Sequence, residues 1–155
     1  MAGTYERVRR ALRAGGLPIG EAMHPVALLG LAVMVVNDWV LKPRFGPSVW
    51  TGKLSDLGGL LAAPLFLTAF IGLVLLLFRA KDPHLTHRRL VLAITATGVV
   101  FAAIKLSADA AAAFVAVISV VRPAEVYLDR TDLLCLPILG IAYWIGRDEL
   151  RRLGR

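Results

Sequence analysis

The sequence contains a single cysteine, Cys135, in 155 residues, so no disulfide can form within one chain. It carries no G-x-S-x-G, no H-E-x-x-H and no paired C-x-x-C, which removes the familiar signatures of serine hydrolases, zinc peptidases and thiol oxidoreductases. Histidine is scarce, at three residues. His84 and His87 stand close together in a basic stretch, but two histidines without a third ligand do not make a zinc site. Thr51-Gly52-Lys53 lacks the upstream glycine and the following Ser or Thr of a phosphate loop, and no strand precedes it. A secretory signal is also missing. The first apolar run follows about two dozen residues, exceeds the usual 7–15-residue core of a signal, and ends without a small-residue cleavage site. Arg9-Arg10 is a twin arginine with no apolar run promptly after it, so a Tat signal is not expected.

What the chain has in excess is apolar surface. Hydrophobic residues make up 57% of it, against about 45–50% in soluble domains, and the mean hydropathy is +0.69. A soluble core of this size cannot hide so much; a bilayer can. Four stretches approach the ~20 apolar residues that a spanning helix needs. They are Pro25–Leu41, Leu57–Phe78, Leu90–Ile104 (with apolar residues running on to Val121) and Leu133–Ile145. The expected fold is an all-α integral membrane protein with four transmembrane helices. Residues 1–21 form a cytoplasmic amphipathic segment, with Tyr5, Val8 and Leu12 at helical spacing among arginines, broken by Gly15-Gly16-Leu17-Pro18. Residues 22–146 form the four-helix domain, and 147–155 a basic tail with Leu150 and Leu153 as its apolar stripe. Residues 110–128 are expected to form a re-entrant or surface helix.

Charge gives the orientation. Of the 18 Lys and Arg, twelve precede the first stretch, lie between the second and third, or follow the fourth. The opposite side holds Lys42, Arg44, Lys53, Lys105, Arg122 and Arg130. The acidic residues divide almost evenly, so the whole net charge of +7 falls on one side. The positive-inside rule makes that side cytoplasmic, with both termini inside and the cell (inner) membrane as the location. The expected partners are the bilayer and anionic lipid at its cytoplasmic face, together with further copies of the chain or a larger membrane complex. No nucleic-acid module accompanies the basic pI of 10.3. Trp39, Trp50, Tyr127, Tyr143 and Trp144 fall near span ends, as an aromatic belt does.

The outer side carries the chemistry. Asn37 and Asp38 follow twelve apolar residues and must lie inside the first helix if it is to span. A buried carboxylate requires a partner, here Lys42, Lys53 or Lys105. Lys105 and Asp109 stand four apart in an apolar run, the spacing of an ion pair on one helix face, and charges within spans are costly and usually functional. Ser55-Asp56 and Thr131-Asp132 each open a returning helix, where capping explains them if they sit at the surface. Lys42 also fits a snorkelling helix end, and His24 before Pro25 fits a cap. The two halves resemble each other: an acid and a lysine four apart, then a hydroxyl-Asp-Leu triplet and a proline. That pattern reads as a parallel 2+2 helix repeat, which places a site between the halves.

These residues define an expected polar pocket open to the outside. Asn37, Asp38, Ser55, Asp56, Asp109, Asp129, Thr131 and Asp132 supply oxygens, and Lys42, Lys53 and Lys105 balance the charge. Such a pocket binds or transports a cation or polar solute. The oxygen donors suit a hard divalent cation as cofactor, although the lysines argue against a simple cation cage. The alternatives are a membrane-embedded enzyme acting on a lipid or lipid-linked phosphate, and a non-catalytic subunit of a larger membrane complex.

Overall fold

His24 stops the chain from coiling before Pro25. Its Nδ1 accepts from the Val26 N–H at 3.2 Å, and Pro25 has no N–H to leave unsatisfied at the first helical position. Helix α1, Pro25–Val36, follows. A π-turn over Asn37–Leu41 and a short helix α2, Lys42–Phe45, continue it, so that 21 residues from Pro25 to Phe45 form one apolar helical stretch. Asn37 and Asp38 lie inside that stretch, as the length argument requires. Gly46, at φ +78°, ends it. In the computed structural model the described residues are 7, 11–12, 15–46, 48–120 and 126–155. The amphipathic segment expected at residues 1–21 falls largely outside them.

Helix α3, Val49–Leu77, begins well before Leu57. Ser48 and Thr51 form a capping box, in which each side chain satisfies the other's backbone N–H. Ser55 and Asp56 therefore lie within the helix, and the expectation that they cap it is corrected. Helix α4, His87–Leu106, is capped by Thr86 and ends at Ser107, whose backbone is extended. The same serine caps helix α5, Ala108–Ile118. The apolar run that continues past Lys105 is thus two helices; the second corresponds to the helix expected within 110–128, shifted and shortened. A 3₁₀ helix over Arg130–Cys135, capped by Asp129, leads to helix α6, Ile138–Arg152.

Among the described residues the regular secondary structure is entirely helical, with no strand. Three helices among the described residues are long and apolar enough to cross a membrane: Pro25–Phe45, Val49–Leu77 and His87–Leu106. The fourth apolar stretch, Leu133–Ile145, is divided between the 3₁₀ helix and the first half of α6.

Helices α1 and α3 pack backbone to backbone. A Cβ on Gly58 would lie 2.6 Å from the Gly30 carbonyl oxygen and 3.0 Å from the Met34 nitrogen. Helix α6 closes the bundle against α3 and α4. The main core joins Ala27, Leu61, Leu65, Leu85, Leu90, Ala142, Ile145 and Leu150. Leu150 is buried there and Leu153 packs against it, so this part of the basic tail docks on the bundle as the end of α6. A smaller cluster of Leu60, Phe101 and Cys135 lies toward the other end. Trp39, Trp50, Tyr127 and Trp144 are exposed, whereas Tyr143 packs on the core.

Candidate functional site

Two polar networks meet on α3. The π-turn adds one residue to a helical turn, a distortion often found at functional sites, and here Asn37 is fully buried. Its Nδ2 donates at 2.6 Å to the Thr51 carbonyl and at 2.6 Å to Ser55 Oγ. Ser55 in turn donates to Asp38, and Lys42 Nζ lies 2.6 Å from the same Asp38 oxygen. Lys42 is thus the partner that Asp38 needs. The Asn37 Oδ1 is buried without a hydrogen-bond partner among the described residues.

The second network is centred on Lys105. Its ammonium sits 2.8 Å from Asp56 Oδ2 and 2.6 Å from Asp132 Oδ2, and 5.5 Å from the centre of the Phe101 ring. The other oxygen of Asp132 takes Lys53 at 2.8 Å. Lys53 also donates to Thr131 Oγ1 at 2.8 Å and lies 3.8 Å from Asp129. Lys105 and Asp132 are buried and Asp56 nearly so. Three elements therefore converge: α3 brings Lys53 and Asp56, α4 brings Lys105, and the 3₁₀ helix brings Thr131 and Asp132. Asp129 Oδ1 accepts from both the backbone N–H and the hydroxyl of Thr131, and these bonds hold its carboxyl below the usual carboxylate range. Asp129 is the cap, which leaves Thr131 and Asp132 free to face the lysines.

Ten of the eleven expected residues thus enter the two networks. Asp109 does not. It is exposed on the first turn of α5, and the expected Lys105–Asp109 pair is absent because the extended backbone at Ser107 breaks the helix between them. The two halves consequently differ where the repeat asks for likeness: Asp38 and Lys42 pair on one helix, whereas Lys105 reaches across to two others.

The networks form the head of a cleft of about 1040 Å³. Asp38, Lys42, Ser55, Asp56, Lys105, Asp129 and Asp132 line its polar end. Below them the walls are apolar: Gly59, Leu60, Ala63 and Leu67 on α3, Val100, Phe101 and Ile104 on α4, and Phe114 and Ile118 on α5. Within each of the three helices the wall residues recur at three- and four-residue intervals, the spacing of one helix face. The carboxylates of Asp56 and Asp132 are already occupied by ammonium groups, so a metal ion entering between them must displace Lys105. No group of three or more His, Cys, Asp or Glu among the described residues is placed to hold one.

A second polar cluster, at the other end of the bundle, was not foreseen. Glu21 and Glu149 are each 2% exposed. The Glu149 carboxylate occupies the space where a side chain on Gly20 would stand. Burial pushes the Glu21 carboxyl up to about 7; the nearby Glu149 adds to the shift, while backbone and Thr68 hydrogen bonds and Arg89 oppose it. The sequence held one signal. Glu149 falls on the stripe Ala142, Ile145, Gly146, Leu150 that α6 turns inward, a position where an acid must be buried.

The chain matches no family model, no curated protein and no solved structure.

Proposed function

We propose that this chain is a four-span protein of the cell membrane, with both termini cytoplasmic, and that its cleft opens toward the outer side and binds an amphiphilic solute. The polar group of the ligand engages the Asp/Lys networks, and its apolar part lies along α3 and α4. The observation that carries this reading is the continuity of one cleft from buried ion pairs into an apolar trough. The pocket is larger than the ~300–1,000 Å³ of typical small-molecule sites. Because Lys105 fills the gap between Asp56 and Asp132, the geometry favours a polar solute over a bare cation. The charge asymmetry of the sequence supports the orientation, and Leu133–Ile145 supplies the fourth crossing, one that is short in helix and packed against α3 and α4.

The test is the identity of molecules that co-purify with the protein in mild detergent, read by mass spectrometry. Ala63→Phe fills the trough without touching the ion pairs, and Asp132→Asn disrupts the head. Wild type is expected to retain an amphiphile that both variants lose. The same extract from all three proteins would remove the proposal, and Ala63→Phe keeps the test decisive if Asp132→Asn proves too unstable to purify.

A further inference from the structure

At the opposite end of the bundle lies a second cavity, of about 380 Å³. Its walls are His87 at the start of α4, and Tyr143, Arg147, Leu150, Arg151 and Arg155 along and beyond α6. Arg147 and Arg151, four residues apart, share one face of α6, and Arg155 joins them from beyond the helix end. We propose that this cavity binds the phosphate of an anionic phospholipid headgroup.

The cavity is built rather than a chance gathering of surface charge. Gly154, at φ +72°, turns the chain back at the end of α6, and the Arg155 N–H returns to the Leu150 carbonyl at 2.9 Å, which is the closing turn that glycine allows at a helix C-terminus. Arg155 then grips both oxygens of Asp82 at 2.5 and 2.8 Å, tying the chain end to the segment before α4. Tyr143 orients two other walls. Arg147 stands 5.8 Å from its ring centre, and its hydroxyl lies 3.3 Å from His87 Nε2.

Charge balance identifies the ligand. Arg155 is matched by Asp82, and the neighbouring Arg152 by Asp148. Among the described residues, no carboxylate lies within ion-pair distance of Arg147 or Arg151, so the cavity holds two unmatched guanidinium groups. A guanidinium presents a planar fork of donors that fits phosphate oxygens in pairs. Position identifies the source. His87 and Lys105 are 18 residues apart on α4, about 27 Å along a helix, close to the ~30 Å thickness of the hydrocarbon core. With the Asp/Lys networks at one interface, the arginines stand at headgroup level at the other, where basic pockets take anionic lipid.

Native mass spectrometry of the detergent-solubilised protein, titrated with dioleoylphosphatidylglycerol or dioleoylphosphatidylcholine, tests this. Wild type is expected to hold one phosphatidylglycerol and to discriminate against phosphatidylcholine. Arg147→Gln with Arg151→Gln lowers the apparent affinity at least about tenfold, and Arg151→Gln alone gives an intermediate loss. Arg79→Gln with Lys81→Gln removes the same charge outside the cavity and changes affinity less than about twofold. Equal losses in the two double variants would mean diffuse attraction and overturn the site. Equal retention of phosphatidylcholine, or displacement of lipid by an equal concentration of glycerol 1-phosphate, would overturn the assignment to an anionic lipid.

Discussion

Lys42 and Lys105 carry the same ammonium and make opposite kinds of ion pair. Lys42 and Asp38 are 34% and 29% exposed, so water screens their attraction and such a pair is worth about 1 kcal/mol or less. Lys105 is 8% exposed and holds two carboxylates that water barely reaches. Removing one member of a buried pair leaves an uncompensated charge and costs about 3–5 kcal/mol. Lys42→Ala is therefore expected to leave the melting temperature in detergent nearly unchanged, whereas Lys105→Met lowers it sharply. Similar melting temperatures for the two variants would show that the Lys105 network is far more hydrated than its burial indicates. The sequence singles out both lysines as charges flanked by apolar residues. It does not say which one the fold surrounds, because the partners of Lys105 lie on α3 and the 3₁₀ helix, 49 and 27 positions away in the chain.

At the scale of elements, glycines show where helices touch. The Gly58–Gly30 approach leaves no room for a methyl group, and its obstacle is backbone, which cannot swing aside. Gly58→Ala must push α1 from α3, at a cost of about 1–3 kcal/mol. Gly140, near the start of α6, faces open space, so Gly140→Ala is expected to raise stability by up to ~1 kcal/mol through helix propensity. Thermal melts of the two variants should move in opposite directions from wild type. Caps decide the element boundaries in the same local way. Ser48 with Thr51 starts α3 early, and Ser107 divides an apolar run that hydropathy alone reads as one. Both are small hydroxyl residues in a hydrophobic context. The sequence contains the capping signals, but a search for apolar length passes over them.

For the molecule as a whole, a buried carboxylate at the arginine-rich end of the bundle gives stability a pH dependence. Glu21 titrates in the folded protein at about 7, above its ordinary 4.5, chiefly because it is buried. At Glu21 the folded state then binds more protons than the unfolded state between those values, so the contribution of this group to stability is fully present below about pH 4.5 and is lost as pH rises toward 7. The loss amounts to roughly 3 kcal/mol. Melts from pH 4.5 to 7.5 are expected to show this decline in wild type relative to Glu21→Gln, in which the window is gone; parallel curves would place Glu21 in water. The proposed orientation makes a separate prediction. In a Cys135→Ala background, Ser48→Cys is expected to react with a membrane-impermeant maleimide on intact cells, and Lys81→Cys only after permeabilisation. The reverse pattern would invert the topology and place the Asp/Lys cleft inside.

The sequence by itself determined the apolar, all-helical character of the chain, three of the four stretches it reads as long enough to span a membrane, the inclusion of Asn37 and Asp38 in the first of them, and most of the polar residues that gather at one end. Each follows from local pattern: run length, charge spacing and the cost of an unpaired buried group. Only the tertiary structure decided that Lys105 serves Asp56 and Asp132 instead of Asp109, that the ion pairs open into an apolar cleft, and that Glu21 meets Glu149. Those outcomes depend on which helix faces come together, and burial, which sets the strength of every charge in this protein, exists only once they have.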